Sequence, residues 1–531
     1  MSKKRFYITT PIYYPSAKLH IGHAYCTTLT DVFARSKRER GYECFFLTGA
    51  DEHGLKIEKN ALEAGVTPQE FVDHIVEGFY KLWDLLKISN DDFIRTTQDR
   101  HMKVVQDAFS KMLKQDDIYL GKYEGWYCKY CEAFWTDTQA GPNHVCPDCG
   151  REVQRAEEEA YFFRTNKYLP SLLKFYDDNP KFLIPESRKN EMINTFIKPG
   201  LEDLCVSRTS FSWGIPVKEN NKHVVYVWLD ALTNYISALG YGSDNESLYK
   251  KYWEDEDCEI IHILGADITR FHAIYWPMFL ESLGLRKPDR EFVHGLLMMK
   301  DSKMSKSKGN VVDPYPLVER YGVSAVRYYL AREINFGNDG SFSPEQFVER
   351  INADLANSYG NLVNRTVSMI HKYFNGVVPE YKGQLTEFDG SLESTVDSTI
   401  KNYENAMDDL RITEAITYVN ELVNRANKYI DETTPWVLAK DESKKDELAS
   451  VMNHLAYSIY VASRLYHPVL VDASDKAFEL LGLSSEDSDY KNINNKHVLD
   501  NHLTVKGDPL FPRLDAAIEV PFINELMSSN K

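Results

Sequence analysis

Residues 5–25 read RFYITTPIYYPSAKLHIGHAY, an apolar stretch followed by two histidines that flank an isoleucine and a glycine. The first half is rich in β-branched and aromatic residues, which favour a strand. Apolar residues then recur at helical spacing in the second half and beyond it. We therefore predict a strand over residues 5–14 and a helix over residues 20–40, with both histidines at the start of the helix.

The same order of strand, turn and helix occurs again further along the chain. The stretch ECFFLTGADEHG, residues 43–54, is an apolar run that ends in a polar turn. The stretch EIIHILGADITRFH, residues 259–272, repeats this order with the same Gly-Ala-Asp turn. A β-α-β rhythm predicts parallel strands, whose ligands bind at the carboxyl ends of the strands. The predicted fold class is therefore α/β, a doubly wound parallel sheet built from two halves.

Two regions lie outside this pattern. Between the two halves, residues 117–210 contain a cluster of cysteines and are interpreted as an insertion. After Gly340, helical periodicity with few strand signals runs over residues 345–375, 390–430 and 445–470. This periodicity predicts a helical bundle in the last third of the chain.

The length and net charge of the chain limit the classes of protein to which it can belong. A chain of 531 residues is too long for one hydrophobic core and predicts three or four domains. The net charge is −17, so the protein should not bind polyanions indiscriminately, and contact with nucleic acid needs a local basic patch. One candidate patch is RSKRER, residues 35–40, and another is the lysine cluster at residues 300–308. The alternative for either stretch is a solvated charged face.

Cysteine usage and hydropathy bear on the location of the protein. Cys26, Cys44, Cys205 and Cys258 are scattered singly, which suits a reducing compartment. No apolar run is long enough to span a bilayer, and the first strand begins too early to leave room for a signal peptide. We therefore predict a cytoplasmic protein that does not associate with a membrane.

The HIGH sequence at residues 20–23 suits phosphate chemistry. A helix N-terminus presents N–H groups and the positive end of the helix dipole, which attract phosphate. Gly22 allows a ligand to approach the backbone, and His20 and His23 can both donate to phosphoryl oxygens. For this motif by itself, half of a metal site and two ordinary surface histidines remain alternatives.

A lysine-rich loop supports the phosphate interpretation. The stretch KDSKMSKSKG, residues 300–309, places Lys303, Lys306 and two further lysines among serines and a glycine. Ammonium groups on such a loop can stabilise the charge of a polyphosphate as it is cleaved. The spacing of a Walker phosphate-binding loop is absent from this stretch.

Four clustered cysteines predict a metal site. Cys128, Cys131, Cys146 and Cys149 follow the pattern C-x₂-C-x₁₄-C-x₂-C. Thiolates at this spacing can form a tetrahedron around Zn²⁺, and four of them leave no open position, so we predict one structural zinc ion per chain. Two disulfides or an iron–sulfur cluster are the alternatives. A reducing compartment disfavours the first, and nothing else in the sequence indicates redox chemistry.

The paired motifs resemble those of a known enzyme family. HIGH followed some 280 residues later by KMSKS is similar to the signature of class I aminoacyl-tRNA synthetases. TGADEHG (48–54), YVWLDALTNYI (226–236), RFHAIYWP (270–277) and KMSKSKGNVVDP (303–314) resemble the methionyl-tRNA synthetases, and the resemblance extends over nearly the whole chain. It implies a Rossmann-type catalytic domain with a zinc-binding insertion, then an α-helical anticodon-binding domain. The expected segments are the first catalytic half (1–116), the zinc-bearing insertion (117–210), the second catalytic half (211–292), the KMSKS loop with a stem-contact segment (293–345) and the anticodon-binding domain (346–531).

The resemblance also assigns site residues. Trp228, Ala231 and Tyr235 form a helical stripe, and Ile268 and His272 stand at i, i+4 on the next helix; such stripes belong by default to a core. The resemblance implies instead that they bind methionine, with the Tyr235 hydroxyl near the sulfur. The implied methionine-binding residues are Ile12, Tyr14, Asp51 (for the ammonium group), Trp228, Ala231, Tyr235, Ile268 and His272. The implied ATP-binding residues are His20, Gly22, His23, Asp267, His294, Gly295 and Lys306, and the implied catalytic residues are His20, His23, Lys303 and Lys306. The implied anticodon-binding residues are Asn361, Arg365 and Trp436; the alternative for Trp436 is a core anchor.

The resemblance implies a two-step reaction. L-Methionine reacts with ATP, which carries Mg²⁺, to give methionyl-adenylate, and the methionyl group then passes to the 3′ end of elongator or initiator methionine tRNA. The chain lacks the appended basic module that often accompanies dimerisation in relatives, so we expect a monomer. Ser16-Ala17 and Ala266 depart from the family's usual residues, and the local backbone and one basic contact are expected to differ there. Another class I synthetase and a non-catalytic RNA-binding relative are the alternative functions.

Overall fold

The structure is a computed structural model that describes residues 4–130, 133–135, 137–147, 149–299, 302–303, 312–333 and 337–528. The chain divides into two compact units. The first unit comprises Met1–Leu19, Glu43–Asp84 and Ser89–His294. The second comprises His20–Tyr42, Leu85–Ile88 and Gly295–Lys531. In the described part of the chain, no helix is both long enough and apolar enough for a transmembrane span.

The strands are numbered in chain order. They are β1 (Arg5–Tyr13), β2 (Glu43–Ala50), β3 (Asp92–Arg95), β4 (Ile118–Cys128), β5 (Ala133–Trp135), β6 (Gln154–Phe163), β7 (Leu183–Ile184), β8 (Leu204–Cys205), β9 (Ser207–Arg208), β10 (Val224–Val225), β11 (Cys258–Gly265), β12 (Arg290–His294), β13 (Leu297–Met299), β14 (Ser302–Lys303) and β15 (Gly340–Ser341).

The α-helices are numbered in the same way. They are α1 (Ile21–Glu39), α2 (Leu55–Ala64), α3 (Pro68–Leu85), α4 (Asp99–Lys114), α5 (Asp137–Ala140), α6 (Thr165–Asp178), α7 (Glu186–Glu191), α8 (Val227–Ser237), α9 (Ser247–Tyr249), α10 (Trp276–Leu283), α11 (Pro314–Tyr321), α12 (Val323–Glu333), α13 (Pro344–Arg350), α14 (Asn361–Phe374), α15 (Asp389–Asp408), α16 (Ile412–Thr433), α17 (Pro435–Leu438), α18 (Lys445–Leu470), α19 (Asp472–Leu480) and α20 (Ala516–Ser528). Short 3₁₀ or π-helical turns are Met192–Ile197, Lys250–Glu254, Ala266–Ile268, Phe271–Tyr275, Ile351–Gly360, Glu442–Lys444 and Tyr490–Asn492.

A parallel sheet forms the centre of the first unit. Its strand order is β3-β2-β1-β11-β12-β7, and every neighbouring pair is parallel. Because the order runs outward in both directions from β1 and β11, these two adjacent strands are the switch point, where ligands of such sheets bind. Phe6, Tyr7 and Ile8 in β1 are fully buried, as expected for a strand covered on both faces. The predicted α/β doubly wound sheet is confirmed.

A smaller antiparallel sheet lies within the segment interpreted as an insertion. Its strand order is β5-β4-β6-β8, with β4 and β6 paired over most of their length. The same segment also supplies β7, which pairs with β12 at the edge of the parallel sheet. The boundaries of the five expected segments stay predictions.

The second unit is mainly helical, as predicted for the last third of the chain. The expected helical stretch over residues 390–430 consists of two helices, α15 and α16, because Leu410 between them adopts a left-handed conformation (φ 60°) that ends α15. α18 is 26 residues long and buried along most of its length. α1 also belongs to this unit, and a fully buried ion pair joins its Asp31 to Arg327 of α12, with Oδ2 and the guanidinium nitrogen 2.7 Å apart.

Candidate active site

A cavity of about 250 Å³ opens in the first unit, where β1, β2 and β11 end. It brings together every residue that the sequence assigned to methionine binding. These are Ile12, Tyr14, Asp51, Trp228, Ala231, Tyr235, Ile268 and His272. Three strand ends and α8 thus contribute to one concave, largely apolar surface, the usual form of a small-molecule site.

Local backbone features place the first of these residues. Pro11 lacks an N–H group, and the register of β1 and β2 shifts there before it resumes with Ile12 opposite Gly49. A Cβ atom on Gly49 would lie 2.2 Å from the Ile94 carbonyl oxygen and 2.9 Å from Ile12 Cγ2. Only glycine fits at this position, and Asp51 follows two residues later at the end of β2.

Aromatic rings form one wall of the cavity. Trp228 stacks on Phe271 with ring centroids 3.4 Å apart and planes inclined by 8°. The buried ring of Tyr235 stacks on His262 at 4.0 Å. Broad apolar faces of this kind suit a flexible, polarisable thioether side chain.

Hydrogen bonds fix the proton positions around Tyr235. His272 Nδ1 lies 3.1 Å from the Ile268 carbonyl oxygen, so this nitrogen carries the hydrogen and donates. His272 Nε2 is then an acceptor, and the Tyr235 hydroxyl, 2.7 Å away, donates to it. Burial lowers the pKa of His272 to about 4, so the ring is neutral at neutral pH. Ile268 and His272 were expected on one α-helix, but they lie on a 3₁₀ turn and a π-helical turn, respectively.

A buried polar cluster beneath the cavity escaped the sequence analysis. Asp230, on α8, is fully buried and lies 2.7 Å from His53 Nδ1 and 2.7 Å from His101 Nε2. Burial alone would raise the pKa of Asp230, but His53 and His101 outweigh it and lower that pKa. The cluster ties α8 to α4 and to the turn that carries Asp51.

In the second unit, the two histidines of the HIGH sequence cap α1. His20 Nδ1 accepts from the Gly22 N–H at 3.0 Å, and His23 Nδ1 accepts from the His20 N–H at 3.1 Å. Because each Nδ1 is an acceptor, each ring is neutral and carries its hydrogen on Nε2. The motif therefore builds a capped helix N-terminus with two Nε2–H donors, an arrangement that suits an anion.

The remaining residues assigned to ATP binding or to catalysis fall into three groups. In the first unit, Asp267 and His294 both lie beside Gly265 at the end of β11, within 3.0 and 3.6 Å of where its Cβ would stand. In the second unit, Gly295 packs closely on the backbone of Asn338. A Cβ atom on Gly295 would lie 1.7 Å from the Asn338 carbonyl oxygen. Lys303 contributes only its backbone to the described structure, in β14, and Lys306 lies outside the described residues.

Three of the four clustered cysteines meet in the small sheet. The sulfur atoms of Cys128, Cys146 and Cys149 all lie within 4.8 Å of one another, and those of Cys128 and Cys149 are 3.7 Å apart. Cys131 lies outside the described residues. A three-sulfur group of this size could bind a metal ion.

The comparisons decide the family. The family described as tRNA synthetases class I (M) matches residues 6–367, and the anticodon binding domain of methionyl tRNA ligase matches residues 378–508. The chain belongs to the class I methionyl-tRNA synthetases. The methionine–tRNA ligase of Halalkalibacterium halodurans is 55% identical over all of this chain and 82% of its own length. That of Bacillus subtilis is 53% identical over 99% of this chain and 80% of its own length.

A solved structure supports the assignment. The Mycobacterium tuberculosis methionyl-tRNA synthetase in complex with methionyl-adenylate is 39% identical, with a TM-score of 0.91 over 96% of this chain and all of the other. The activity of this methionyl-tRNA synthetase is therefore the ATP-dependent activation of methionine and its transfer to tRNA.

Two of the residues assigned to anticodon binding line one pocket on the helical part of this methionyl-tRNA synthetase. It has a volume of about 310 Å³ and is lined by Arg365, Trp436, Lys372, Tyr373 and neighbouring residues of α14. Trp436 is 43% exposed, which does not fit a core anchor. Asn361 begins α14, one turn before Arg365, and is not among the residues that line the pocket.

The sequence analysis did not identify some of the residues that line these two cavities of the synthetase. Lys372 lies on the same face of α14 as Arg365, so helical spacing could have found it. Lys56 and Tyr130 line the smaller, 250 Å³ cavity from distant parts of the chain, and no local pattern identifies them. Trp228 also lines a second cavity of about 450 Å³ that was not anticipated.

Proposed function

We propose that the 250 Å³ cavity binds the methionine substrate, with the thioether between the aromatic wall and Ile12 and the ammonium group at Asp51. The observation that carries this proposal is that all the residues assigned by the resemblance line one cavity. Asp51 is mostly buried and is the carboxylate of that lining, which suits a cationic group.

For the first step, we propose that His20 and His23 donate their Nε2–H groups to phosphate oxygens of ATP. A methionine carboxylate oxygen forms a bond to the α-phosphorus, and the bond from that phosphorus to the bridging oxygen breaks, so pyrophosphate leaves with the electron pair. Lys303 and Lys306 would stabilise the charge that moves onto pyrophosphate. Mg²⁺ bound to ATP would neutralise part of the same charge. The other residues that we propose for ATP binding are Gly22, Asp267, His294 and Gly295.

In the second step, the 2′-hydroxyl of the terminal tRNA adenosine attacks the carbonyl carbon of methionyl-adenylate, and AMP leaves. No side-chain nucleophile is required, since positioning and charge stabilisation suffice. We propose that Trp436 stacks on an anticodon base and that Asn361 and Arg365 contact the same loop of elongator and initiator methionine tRNA. Support comes from the exposure of Trp436 and its place beside Arg365. A monomer in the cytoplasm remains part of the proposal.

Methionine-dependent exchange of pyrophosphate into ATP tests the assignment of the amino acid. With each of the twenty amino acids in turn, exchange should be fastest with methionine by a wide margin. Equal or faster exchange with another amino acid would contradict the proposed substrate.

The cysteine group fits a structural zinc ion. Zinc–sulfur bonds of about 2.3 Å in a tetrahedron place sulfur atoms about 3.8 Å apart, close to the 3.7 Å between Cys128 and Cys149. Cys128, Cys131, Cys146 and Cys149 would hold the ion. It would stabilise the fold of the small sheet and take no part in the reaction.

Replacing Cys146 by alanine should remove the metal, because a structural site needs all four ligands. Elemental analysis of the purified wild-type protein should find about one Zn²⁺ per chain, and the Cys146→Ala variant should contain far less. Cys258→Ala is the matched control, since Cys258 is buried in β11, outside the group, and this variant should keep its zinc. Metal-free wild-type protein, or full zinc in Cys146→Ala, would contradict the assignment.

Replacing Tyr235 by phenylalanine should narrow the preference for methionine over norleucine, its carbon analogue. In the structure the Tyr235 hydroxyl donates to His272 Nε2, and we propose that it turns this hydrogen to the sulfur, which can only accept, when methionine binds. The variant loses that hydroxyl and leaves the buried acceptor His272 Nε2 without its donor. We expect the ratio of the two kcat/KM values in pyrophosphate exchange to fall by up to about 10-fold, because a hydrogen bond to a neutral acceptor contributes about 0.5–1.5 kcal/mol. Tyr241→Phe, outside the cavity lining, should leave the ratio unchanged. An unchanged ratio in Tyr235→Phe would mean that shape alone selects methionine.

A further inference from the structure

The stretch RSKRER at the end of α1 is neither a solvated face nor a basic patch that faces RNA. Lys37 is only 5% exposed, and the side chain of Arg40 is only 11% exposed. The carboxylate and cationic partners of Lys37, Glu39 and Arg40 lie in the helices of the second unit, far away in sequence. The stretch therefore attaches α1 to those helices.

Asp408 is the first attachment point. Its Oδ1 lies 2.8 Å from Lys37 Nζ, and its two carboxylate oxygens accept from both terminal nitrogens of Arg40 at 2.9 Å. Asp408 is the last residue of α15, where the helix dipole disfavours an acidic group. Burial would raise the pKa of Asp408, but Arg40 and Lys37 outweigh it and lower that pKa to about 2. Two cations thus hold one carboxylate in a fixed, bidentate geometry.

The second attachment point is the end of α18. Glu39 Oε1 lies 2.6 Å from a guanidinium nitrogen of Arg464 and also contacts His467. The side chains of Glu39 and Arg464 are 13% and 9% exposed, so solvent screens this pair only weakly. α18 also packs against α14 and α17, which carry Arg365 and Trp436. One long helix therefore contacts both the end of α1 and the two helices that line the 310 Å³ pocket.

We propose that Lys37, Glu39 and Arg40 are positioning residues for adenylate formation: by fixing the C-terminal end of α1 to α15 and α18, they hold the His20 and His23 donors at its N-terminal end in place. α1 is a single helix of 19 residues without proline or glycine after its first turn, so a displacement of one end is transmitted to the other. This inference rests on the proposed roles of His20 and His23.

The experiment compares three variants in the full-length protein. Asp408→Asn removes the charge at unchanged size, and Asp408→Glu restores it. Glu414→Gln is the matched control, because the ion-pair partner of Glu414 is Arg411, just before α16, and not a residue of α1. The measurement is methionine-dependent pyrophosphate exchange, with the enzyme concentration taken from active-site titration, so that unfolded protein does not contribute.

Asp408→Asn should lower kcat by about tenfold with an unchanged KM for methionine, since small misplacements of catalytic groups cost up to about 100-fold. Asp408→Glu should recover much of this loss, and Glu414→Gln should show none. If Asp408→Asn does not fold, Arg40→Gln replaces it in the experiment. This variant keeps the ion pair between Lys37 and Asp408, and it should show the same loss of kcat with an unchanged KM.

An unchanged kcat in the folded variant, or a loss confined to KM or to the fraction of active enzyme, would overturn the inference and leave these ion pairs a stabilising role only. Failure of the underlying proposal has a different signature. If His20 and His23 do not act on phosphate, His20→Asn keeps full activity, whereas it loses activity when only the positioning role is wrong.

Discussion

Replacing His20 by asparagine should lower the rate of methionyl-adenylate formation by about 10²–10³-fold, the usual cost of losing one donor to a developing negative charge. Asparagine can still accept from the Gly22 N–H, as His20 Nδ1 does, because it is a good N-cap residue. It lacks any group at the position of Nε2. The variant should therefore keep α1 capped and lose only the donor to phosphate.

His20→Gln provides the matched comparison. Its longer side chain can bring an amide N–H near the position of Nε2 but caps the helix poorly. It should retain more activity than His20→Asn and unfold at a lower temperature. The measurements are pyrophosphate exchange and thermal unfolding of both variants. Full activity in His20→Asn, or greater activity in His20→Asn than in His20→Gln, would show that capping and not donation is the role of this histidine.

Replacing Arg327 by methionine should reduce the free energy of unfolding by about 3–5 kcal/mol, as expected when one partner of a buried ion pair is removed. The change would leave Asp31 buried with Arg35 as its remaining cation, and it would remove the donors to the carbonyl oxygens of Leu86, Pro468 and Val469. Burial lowers the pKa of Arg327 despite the nearby Asp31, which reflects the cost of holding this charge away from water.

Urea unfolding followed by circular dichroism measures this effect. Arg320→Met is the control, because Arg320 pairs with Glu519 at the protein surface, and its unfolding midpoint should change little. Combining Arg327→Met with Asp31→Asn should cost less than Arg327→Met alone, since no buried carboxylate then remains and Arg35, which loses Asp31, is partly exposed and still donates to the Lys87 carbonyl oxygen. Equal shifts for Arg327→Met and Arg320→Met would contradict a special role for the buried pair.

Features with a local pattern were predictable from the sequence. The strand expected over residues 5–14 and the helix over residues 20–40 correspond to β1 and α1, because apolar spacing within each segment reports which face is buried. The helical stripe of Trp228, Ala231 and Tyr235 was recognised for the same reason. Its assignment to a ligand cavity depended on the family resemblance, since core and cavity walls have the same composition.

Features that depend on distant partners were not predictable. Asp408 is 368 residues from Arg40, and His53 is 177 residues from Asp230. No window of sequence relates such charges, so RSKRER was interpreted as a surface, and the Asp230 cluster was not recognised. The turn around His272 also differed from the α-helix expected there. Its imidazole donates to the Ile268 carbonyl, the acceptor that an α-helix would offer to a backbone N–H.

The paired imidazoles around Tyr235 have a consequence for translation under acid stress. Burial keeps the pKa of His262 well below its ordinary value and that of His272 at about 4, so neither ring gains a proton when the surroundings acidify from neutrality to about pH 5. The wall that we propose for the methionine side chain therefore keeps these two rings uncharged throughout this range. A cell whose interior becomes acidic would charge its tRNA more slowly if other groups titrate, but the fidelity with which methionine is chosen over its analogues should remain constant.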